Sequence, residues 1–458
     1  MRALNSVRIA SYDNIISLEH FGEIEITNAA PDCADAIRQA IKACGGSARL
    51  VSTPQNAGLC LLTEGLTEGL LANRHHMALQ AILSADGNMR VVALDRASAP
   101  ALSDIGGISG LCRSFRIEHP GARLTSLSMC APADVDEAAS RVARSLNLPD
   151  SDYTLYTDEI RQDVLGDSLL PPPAHEGAST SPVWLISGGG RGVTANCAVE
   201  LANRTGGSFI LLGRSDMTEW PDWLEPETDL KALRSALAKN STRPGMPKKP
   251  VEIDRFARKL LAGAEIASTI KSIEATGAYA RYVQADIGDR ASLRSTLATL
   301  VKEVGAVTGL VHGAGVLSDG LVSTLDLQSF ETVFAPKVMG LEIILSCLDK
   351  RSLSHIALFS SASAVFGNEG QANYAAANAW LNNVAIQLAT SMPDTQVKSF
   401  CWGPWHGGMV DDALARMFTE RGIGLITRQE GARIFADQLL NSPHDQVRFV
   451  VGDEWGDQ

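Results

Sequence analysis

The sequence predicts an α/β chain whose second half folds as a doubly wound, mainly parallel sheet. Three observations carry that reading. Apolar runs at 183–186, 209–212, 280–285, 309–312 and 356–360 are continuous rather than alternating, as strands covered by helices on both faces require. Helix-patterned stretches separate them, and further runs at 397–401 and 447–451 extend the series. Between the first run and its helix stands a glycine-rich turn, Ser187-Gly188-Gly189-Gly190-Arg191-Gly192-Val193-Thr194.

The clearest interruption is 166–181, where Pro171, Pro172, Pro173 and small polar residues break the periodicity. It divides the chain into 1–165, a linker and 182–458. Before it, apolar runs at 48–51, 59–62 and 90–94 alternate with helical patterns at 34–43 and 76–83, which predicts another parallel sheet. That half has no glycine-rich strand-to-helix turn, so it can take a nucleotide-fold topology without holding a nucleotide. In the second half about 65 residues separate the second strand from the third, where a whole βαβ unit needs only about 30. Residues 216–262 therefore read as an insertion, with a proline-rich loop at 243–250 and a helix running from near Glu252 into Lys271.

Composition narrows the function classes. The chain has 458 residues, 45% hydrophobic and 20% charged, which excludes a mainly disordered protein and allows two or three domains. A net charge of −12 argues against a non-specific grip on nucleic acid or anionic lipid. No signal-peptide core opens the sequence and no apolar run approaches the ~18 residues of a membrane span, so a cytoplasmic protein is expected. The eight cysteines form no C-x-x-C pair and no metal-ligand cluster; they read as reduced core thiols, and no metal is expected.

Four strand ends point to a dinucleotide. Glycines in the first turn let the backbone bend sharply and bring its N–H groups onto a pyrophosphate. Alone, such a run equally suits a flexible surface turn; its position between strand and helix is what points to phosphate. The second strand ends in Gly213-Arg214-Ser215, where an acid would read the ribose hydroxyl of NAD and an arginine with a hydroxyl suits the 2′-phosphate of NADP. The third ends at Asp286-Ile287, within reach of an adenine amino group, and the fourth in His312-Gly313-Ala314-Gly315, small where bulk would block a cofactor.

A reducing constellation follows. The fifth strand ends in Phe359-Ser360-Ser361, and Tyr374 opens a helical stretch in which Asn378, four residues on, shares its face. Carbonyl reduction needs a proton donor at the developing alkoxide: a tyrosine whose pKa a nearby cation lowers can serve, with a serine holding the carbonyl oxygen. No lysine stands at 378. The candidate cation is Lys337, in Ala335-Pro336-Lys337-Val338-Met339-Gly340, although a solvated helix lysine would look the same in sequence.

With these residues in order, the chain resembles the ketoreductase domains of polyketide synthases and polyunsaturated fatty acid synthases, members of the short-chain dehydrogenase/reductase superfamily. In those domains lysine precedes the serine and asparagine follows the tyrosine, the order of Lys337, Ser361, Tyr374 and Asn378. The resemblance covers nearly the whole chain. Gly106 to Leu111 and Arg113 to Pro120 look like the family's structural subdomain, and Phe359 to Asn378, Trp402-Gly403-Pro404-Trp405 and Gly408-Met409-Val410 are its most specific stretches.

The resemblance implies a Rossmann-type catalytic subdomain preceded by a truncated Rossmann-like structural one, with NADPH as cofactor. It implies a β-ketoacyl substrate tethered to an acyl carrier protein, and neighbouring synthase domains as partners. Leu317, Asp319, Phe366, Gly403, Pro404, Trp405 and Met409 are expected around that substrate. A Leu-Asp-Asp signature accompanies B-type reduction to the D (3R) alcohol, and a tryptophan eight residues before the tyrosine accompanies A-type. This chain has Leu317-Ser318-Asp319 and Phe366, which favours B-type. Thr194 departs from the family's last turn glycine and puts tight helix packing there in question, though its hydroxyl can contact phosphate or cap the helix.

Two other classes stand beside this reading. A catalytically silent scaffold would show loss of Tyr374 or Lys337, and both are present. A free-standing short-chain reductase would carry lysine at 378 and no N-terminal partner.

Overall fold

A computed structural model describes the chain except residues 13–16, 56, 131–133, 168–180, 408–415, 417, 421 and 454–458. Most of the expected linker at 166–181, and Met409, fall outside the described residues.

The first half holds strands β1 (Arg2–Ser11), β2 (Glu23–Thr27), β3 (Ser47–Val51), β4 (Leu59–Leu62), β5 (Arg90–Ser98), β6 (Arg123–Cys130), β7 (Asp152–Leu155) and β8 (Glu159–Asp167), with helices α1 (Pro31–Ala43), α2 (Leu71–Ser84), α3 (Ile108–Glu118) and α4 (Val135–Ser145). Strands β2 to β7 pair in parallel in the order β3-β2-β4-β5-β6-β7, a Rossmann-like sheet. Strand β8 runs two residues into the expected linker.

The second half holds β9 (Val183–Ser187), β10 (Ser208–Gly213), β11 (Tyr279–Gln284), β12 (Gly309–His312), β13 (His355–Ser361), β14 (Gln396–Trp402) and β15 (Arg448–Val451). Its order, β11-β10-β9-β12-β13-β14-β15, is parallel throughout and reverses beside β9, as in doubly wound nucleotide-binding sheets. The helices are α5 (Gly192–Thr205), α6 (Leu230–Lys239), α7 (Pro250–Glu274), α8 (Arg290–Val304), α9 (Leu327–Phe334), α10 (Gly340–Cys347), α11 (Ser363–Phe366), α12 (Ala372–Ser391) and α13 (Arg428–Asn441). The apolar runs are strands because both faces are covered: Trp184, Leu185, Ile186 and Phe209 to Leu212 are all buried. The insertion adds α6 and lengthens the crossover helix, so that α7 continues without a break from the insertion into the βαβ unit. Its own small core joins Leu233, Leu237, Ile253 and Leu260.

The halves form one sheet of 15 strands. Strand β1 joins them, antiparallel to β15 at Arg2 and Ala3 and to β8 along most of its length. Its residues Val7 and Ile9 are exposed. The join is locked by Arg448 on β15, whose two guanidinium nitrogens each donate at 2.7 Å to Asp163 on β8. Arg448 is buried, so removing its partner strands a charge. Asp163→Ala should destabilise the chain by about 2–4 kcal/mol in urea unfolding; a loss under about 0.5 kcal/mol, the value of an exposed pair, would show that the join does not depend on this contact.

Candidate active site

A cleft of about 1860 Å³ runs along the C-terminal ends of β9 to β14. Ligands bind at this edge in open α/β sheets, because helix N-termini and strand-end loops converge there. Its wall includes Gly188, Gly190, Arg191, Gly192, Val193, Arg214, Ser215, Asp286, Ile287, Gly313, Ala314 and Gly315 on one side. Leu317, Asp319, Lys337, Ser361, Tyr374, Gly403, Pro404 and Trp405 line the other.

The glycine turn is shaped by close approaches. At Gly188, φ is +72°, and a Cβ would stand 3.0 Å from the Ala314 backbone. A Cβ on Gly190 would meet the Tyr282 ring at 2.8 Å. Thr194, in place of a last turn glycine, is buried against Gly313, where any side chain would collide with its hydroxyl. The packing doubt raised by Thr194 is therefore answered from the facing strand end. Helix α5 starts at Gly192, one turn before the helical pattern at Asn196 suggests.

Ser187, Gly189 and His312 do not line the cleft. Ser187 Oγ lies 2.8 Å from His312 Nδ1, and His312 Nε2 lies 3.1 Å from the Lys337 carbonyl. With Nε2 donating, Nδ1 accepts from the hydroxyl. Burial, helped by the Lys337 charge, pushes His312 down to about 3, so the ring is neutral and ties the phosphate turn to the Lys337 backbone.

Lys337 sits in a five-residue π-turn, Ala335–Met339, between α9 and α10, rather than on a regular helix. Pro336 lacks an N–H, which suits an irregular turn at this point. The side chain is buried: Nζ donates to the Phe359 carbonyl at 3.0 Å and lies 5.3 Å from the centre of the Tyr374 ring. Burial pulls its pKa down to about 7. The phenol of Tyr374 moves the other way, up to about 12, chiefly by burial; the Asp319 charge adds to the rise, while Asn378 and Ser361 oppose it. Ser361 Oγ accepts from Ser363 N at 3.2 Å and lies 3.0 Å from Ser363 Oγ.

Asn378 stands one turn beyond Tyr374 and does not line the cleft. Its Nδ2 donates to the Tyr374 carbonyl at 2.8 Å, and its buried Oδ1 has no hydrogen-bond partner among the described residues. Phe366 corrects an expectation: α11 turns it away from the cleft, against the cluster of Leu4, Cys401 and Val450.

Several residues at the site carry no local sequence signal. Glu265 on α7 accepts from Gly192 N at 2.9 Å, and Thr269 donates to the Gly190 carbonyl at 3.1 Å. Arg255, Arg258 and Lys259 bring the insertion to the cleft beside Arg214 and Ser215. Only the i, i+4 spacing of Arg255 and Lys259 hints that they share a face. Asn373 donates to the carbonyls of Ser318 and Ser329 at 2.9 and 3.2 Å, anchoring the loop after β12 beside Tyr374. Among the described residues no metal-binding cluster occurs, and no helix is long and apolar enough to cross a membrane.

Fold and site together define a reductase of the short-chain dehydrogenase/reductase class, a nicotinamide-dependent Rossmann-type domain with an attached structural subdomain. Residues 182–407 match the family model described as "KR domain", and the chain is a ketoreductase domain of the kind found in polyketide synthases. It is 31% identical over 375 residues to a polyunsaturated fatty acid synthase polypeptide of Thraustochytrium sp., covering 79% of this chain and 13% of that one. It is 32% identical over 235 residues to a spectinabilin polyketide synthase protein of Streptomyces orinoci, covering 49% of this chain and 10% of that one. The chain thus spans a small fraction of these relatives. An A-type ketoreductase from a modular polyketide synthase shares the fold, with TM-score 0.73 at 19% identity over 98% of this chain and 92% of that one.

The lysine makes stability pH-dependent. Its folded pKa lies below the ordinary value near 10.4, so between about pH 7 and 10 the unfolded chain binds the extra proton and stability rises with pH. Below about 7 both states are protonated and the whole burial cost is present. Lys337→Met should therefore raise the unfolding temperature most at pH 6 and progressively less towards pH 10; an offset independent of pH would contradict the buried, depressed lysine.

Proposed function

We propose that the chain is the NADPH-dependent ketoreductase domain of a polyunsaturated fatty acid or polyketide synthase in the cytoplasm. In this reading it reduces the 3-oxo group of an acyl carrier protein-bound β-ketoacyl thioester to the 3-hydroxy form, with B-type (D, 3R) outcome. The observation that carries the reading is the meeting of Lys337, Ser361 and Tyr374 in the cleft that the glycine turn enters. The relatedness to multidomain synthases supports neighbouring synthase domains as partners.

The residues present fit the cofactor. The turn at Gly188, Gly190, Gly192 and Val193 offers a cradle that side chains would fill, and Arg191 and Arg214 offer positive charge where the pyrophosphate and 2′-phosphate fall. Asp286 and Ile287 bound the adenine, and Ala314 and Gly315 leave room along the strand end. NADPH supplies the hydride when bound. Ser361 holds the carbonyl oxygen, and the half-buried, protonated Tyr374 donates to the alkoxide as it forms. Lys337, when charged, stabilises the phenolate left behind, and Asn378, with a spare acceptor, helps to order the path by which the proton is replaced. Leu317, Asp319, Gly403, Pro404 and Trp405, which line the cleft, flank the acyl chain and set its face.

Residues 1–165 act in this reading as a brace without nucleotide, joined through 166–181 to the catalytic subdomain at 182–458 with its insertion at 216–262. Contacts of α3 with α12 support that role.

Removing the Tyr374 phenol should lower turnover of a 3-oxoacyl thioester by about 10²-fold or more, measured as NADPH oxidation; a Tyr374→Phe variant within tenfold of the parent would mean another group is the acid. Arg214→Ala should weaken the preference for NADPH over NADH by roughly 1.5–3 kcal/mol, the loss of one charge-assisted contact. An unchanged ratio of kcat/KM values for the two cofactors would remove Arg214 from that role. Chiral chromatography of the product checks the D outcome.

A further inference from the structure

The last residue of α3, Glu118, belongs to the N-terminal half and lies outside the matched domain, yet its carboxylate joins two cleft-lining segments of the other half. Oε2 accepts from Val322 N at 2.8 Å, at the end of the loop after β12. Oε1 accepts from Gly370 N at 2.9 Å, in the loop that leads into α12 and Tyr374. The two loops also hold each other directly: Gly320 N donates to the Gly370 carbonyl at 2.8 Å and Gln371 Nε2 to Asp319 at 3.0 Å. Gly320 and Leu321 line the cleft from one loop, Gly370 and Gln371 from the other.

We propose that Glu118 is a positioning residue for the reduction: by accepting from both backbones at once it fixes the spacing of the two loops between which the acyl substrate enters. The proposal rests on the functional reading above and names a residue that reading does not use. Its physical basis is geometric. A carboxylate offers two oxygens and can satisfy two N–H groups, and charge-assisted bonds of this kind are stronger than neutral ones. A glutamine of the same shape has one acceptor oxygen and presents an N–H₂ to the other donor, so it can hold one loop but not both. Neighbouring contacts keep α3 itself in place: Asn368 N donates to Ser114 Oγ at 3.1 Å, and Arg113 donates to the Ala364 carbonyl. The helix therefore stays docked when Glu118 changes, and the effect falls on the loops.

The test uses the full chain, Glu118→Gln and Glu118→Ala, with two readouts: amide hydrogen exchange over 316–322 and 367–371, and reduction of a 3-oxoacyl thioester with the product resolved by chirality. Faster exchange confined to the two segments is expected. It should come with a roughly tenfold or larger loss of kcat/KM for the thioester and a larger share of the minor enantiomer, because small misplacements near the reacting carbon are costly. NADPH affinity should stay within about twofold, since the hydrogen bonds of the Glu118 carboxylate among the described residues go to Val322 and Gly370 rather than to the phosphate turn; a purely structural role would lower both together. Exchange and enantiomer ratio equal to the parent's in Glu118→Gln would overturn the proposal. So would loss of protection throughout both halves, which would make the carboxylate a requirement of folding rather than a local pin. A parent chain that turns over no 3-oxoacyl thioester would sink the functional reading instead, and the exchange of the two segments would still decide whether Glu118 pins them.

Discussion

The site depends on one close contact, the crossing of α3 over α12. Gly107, the N-cap of α3, and Gly110 within the helix lie directly on the backbone of the tyrosine helix: a Cβ at Gly107 would overlap the Ala376 carbonyl, and one at Gly110 the Ala375 carbonyl. Facing them, α12 presents Ala375, Ala376 and Ala377, all fully buried. Small residues on both sides let the helices touch backbone to backbone, so the position of α12 has little freedom to vary. The seam is closed by polar bonds to the same stretch of chain: Asn383 donates to the Gly106 carbonyl at 2.9 Å and Trp380 to the Leu102 carbonyl at 3.2 Å. Behind it, the start of α3 is held by buried groups of the N-terminal half, with Ile108 N donating to Asp95 at 2.7 Å and Gly107 N to His75 at 3.1 Å.

Rigidity at this seam matters because the polar side chains on the other side of α12 are held against their own preferences. Burial lifts the Tyr374 phenol and depresses Lys337, so each charged form is disfavoured where it stands. In the proposed reaction a proton passes through these groups, and such a site needs them at fixed distance, since electrostatic interaction changes steeply with separation. The π-turn under Lys337 and the neutral His312 bridge set one partner, and the α3 seam sets the other. Among the described residues the N-terminal half lines none of the cleft, and its proposed role is to set the position of α12.

What the sequence revealed was what is local. The strand-turn-helix at Ser187 to Thr194, the Arg214 strand end, and the i, i+4 relation of Tyr374 and Asn378 each fit within a few residues of chain; the structure sets the turn between β9 and α5, Arg214 just past β10 and both side chains on α12, but only Tyr374 of that pair lines the cleft. Lys337 could not be told from a solvated lysine, because its burial arises from a π-turn and the Phe359 carbonyl 22 residues away. Strand β1 is hard to place from sequence for a related reason: its partners β8 and β15 lie at the far ends of the two halves. Counting eight residues back from Tyr374 reaches Phe366 but does not show that it packs against Leu4, Cys401 and Val450. Glu118 is invisible to motif reading, since its partners are backbone N–H groups 204 and 252 residues distant.

The central claim is that the N-terminal half sets the position of the tyrosine helix, and its most direct test is a side chain placed in the seam. Gly110→Val puts a branched side chain where the Ala375 carbonyl now stands and touches neither cleft nor cofactor residues. Turnover of a 3-oxoacyl thioester, measured at a temperature where circular dichroism shows the variant folded, should fall by about 10²-fold while NADPH binding persists. Turnover within twofold of the parent would show that α12 holds its place without the N-terminal half, and would contradict this account.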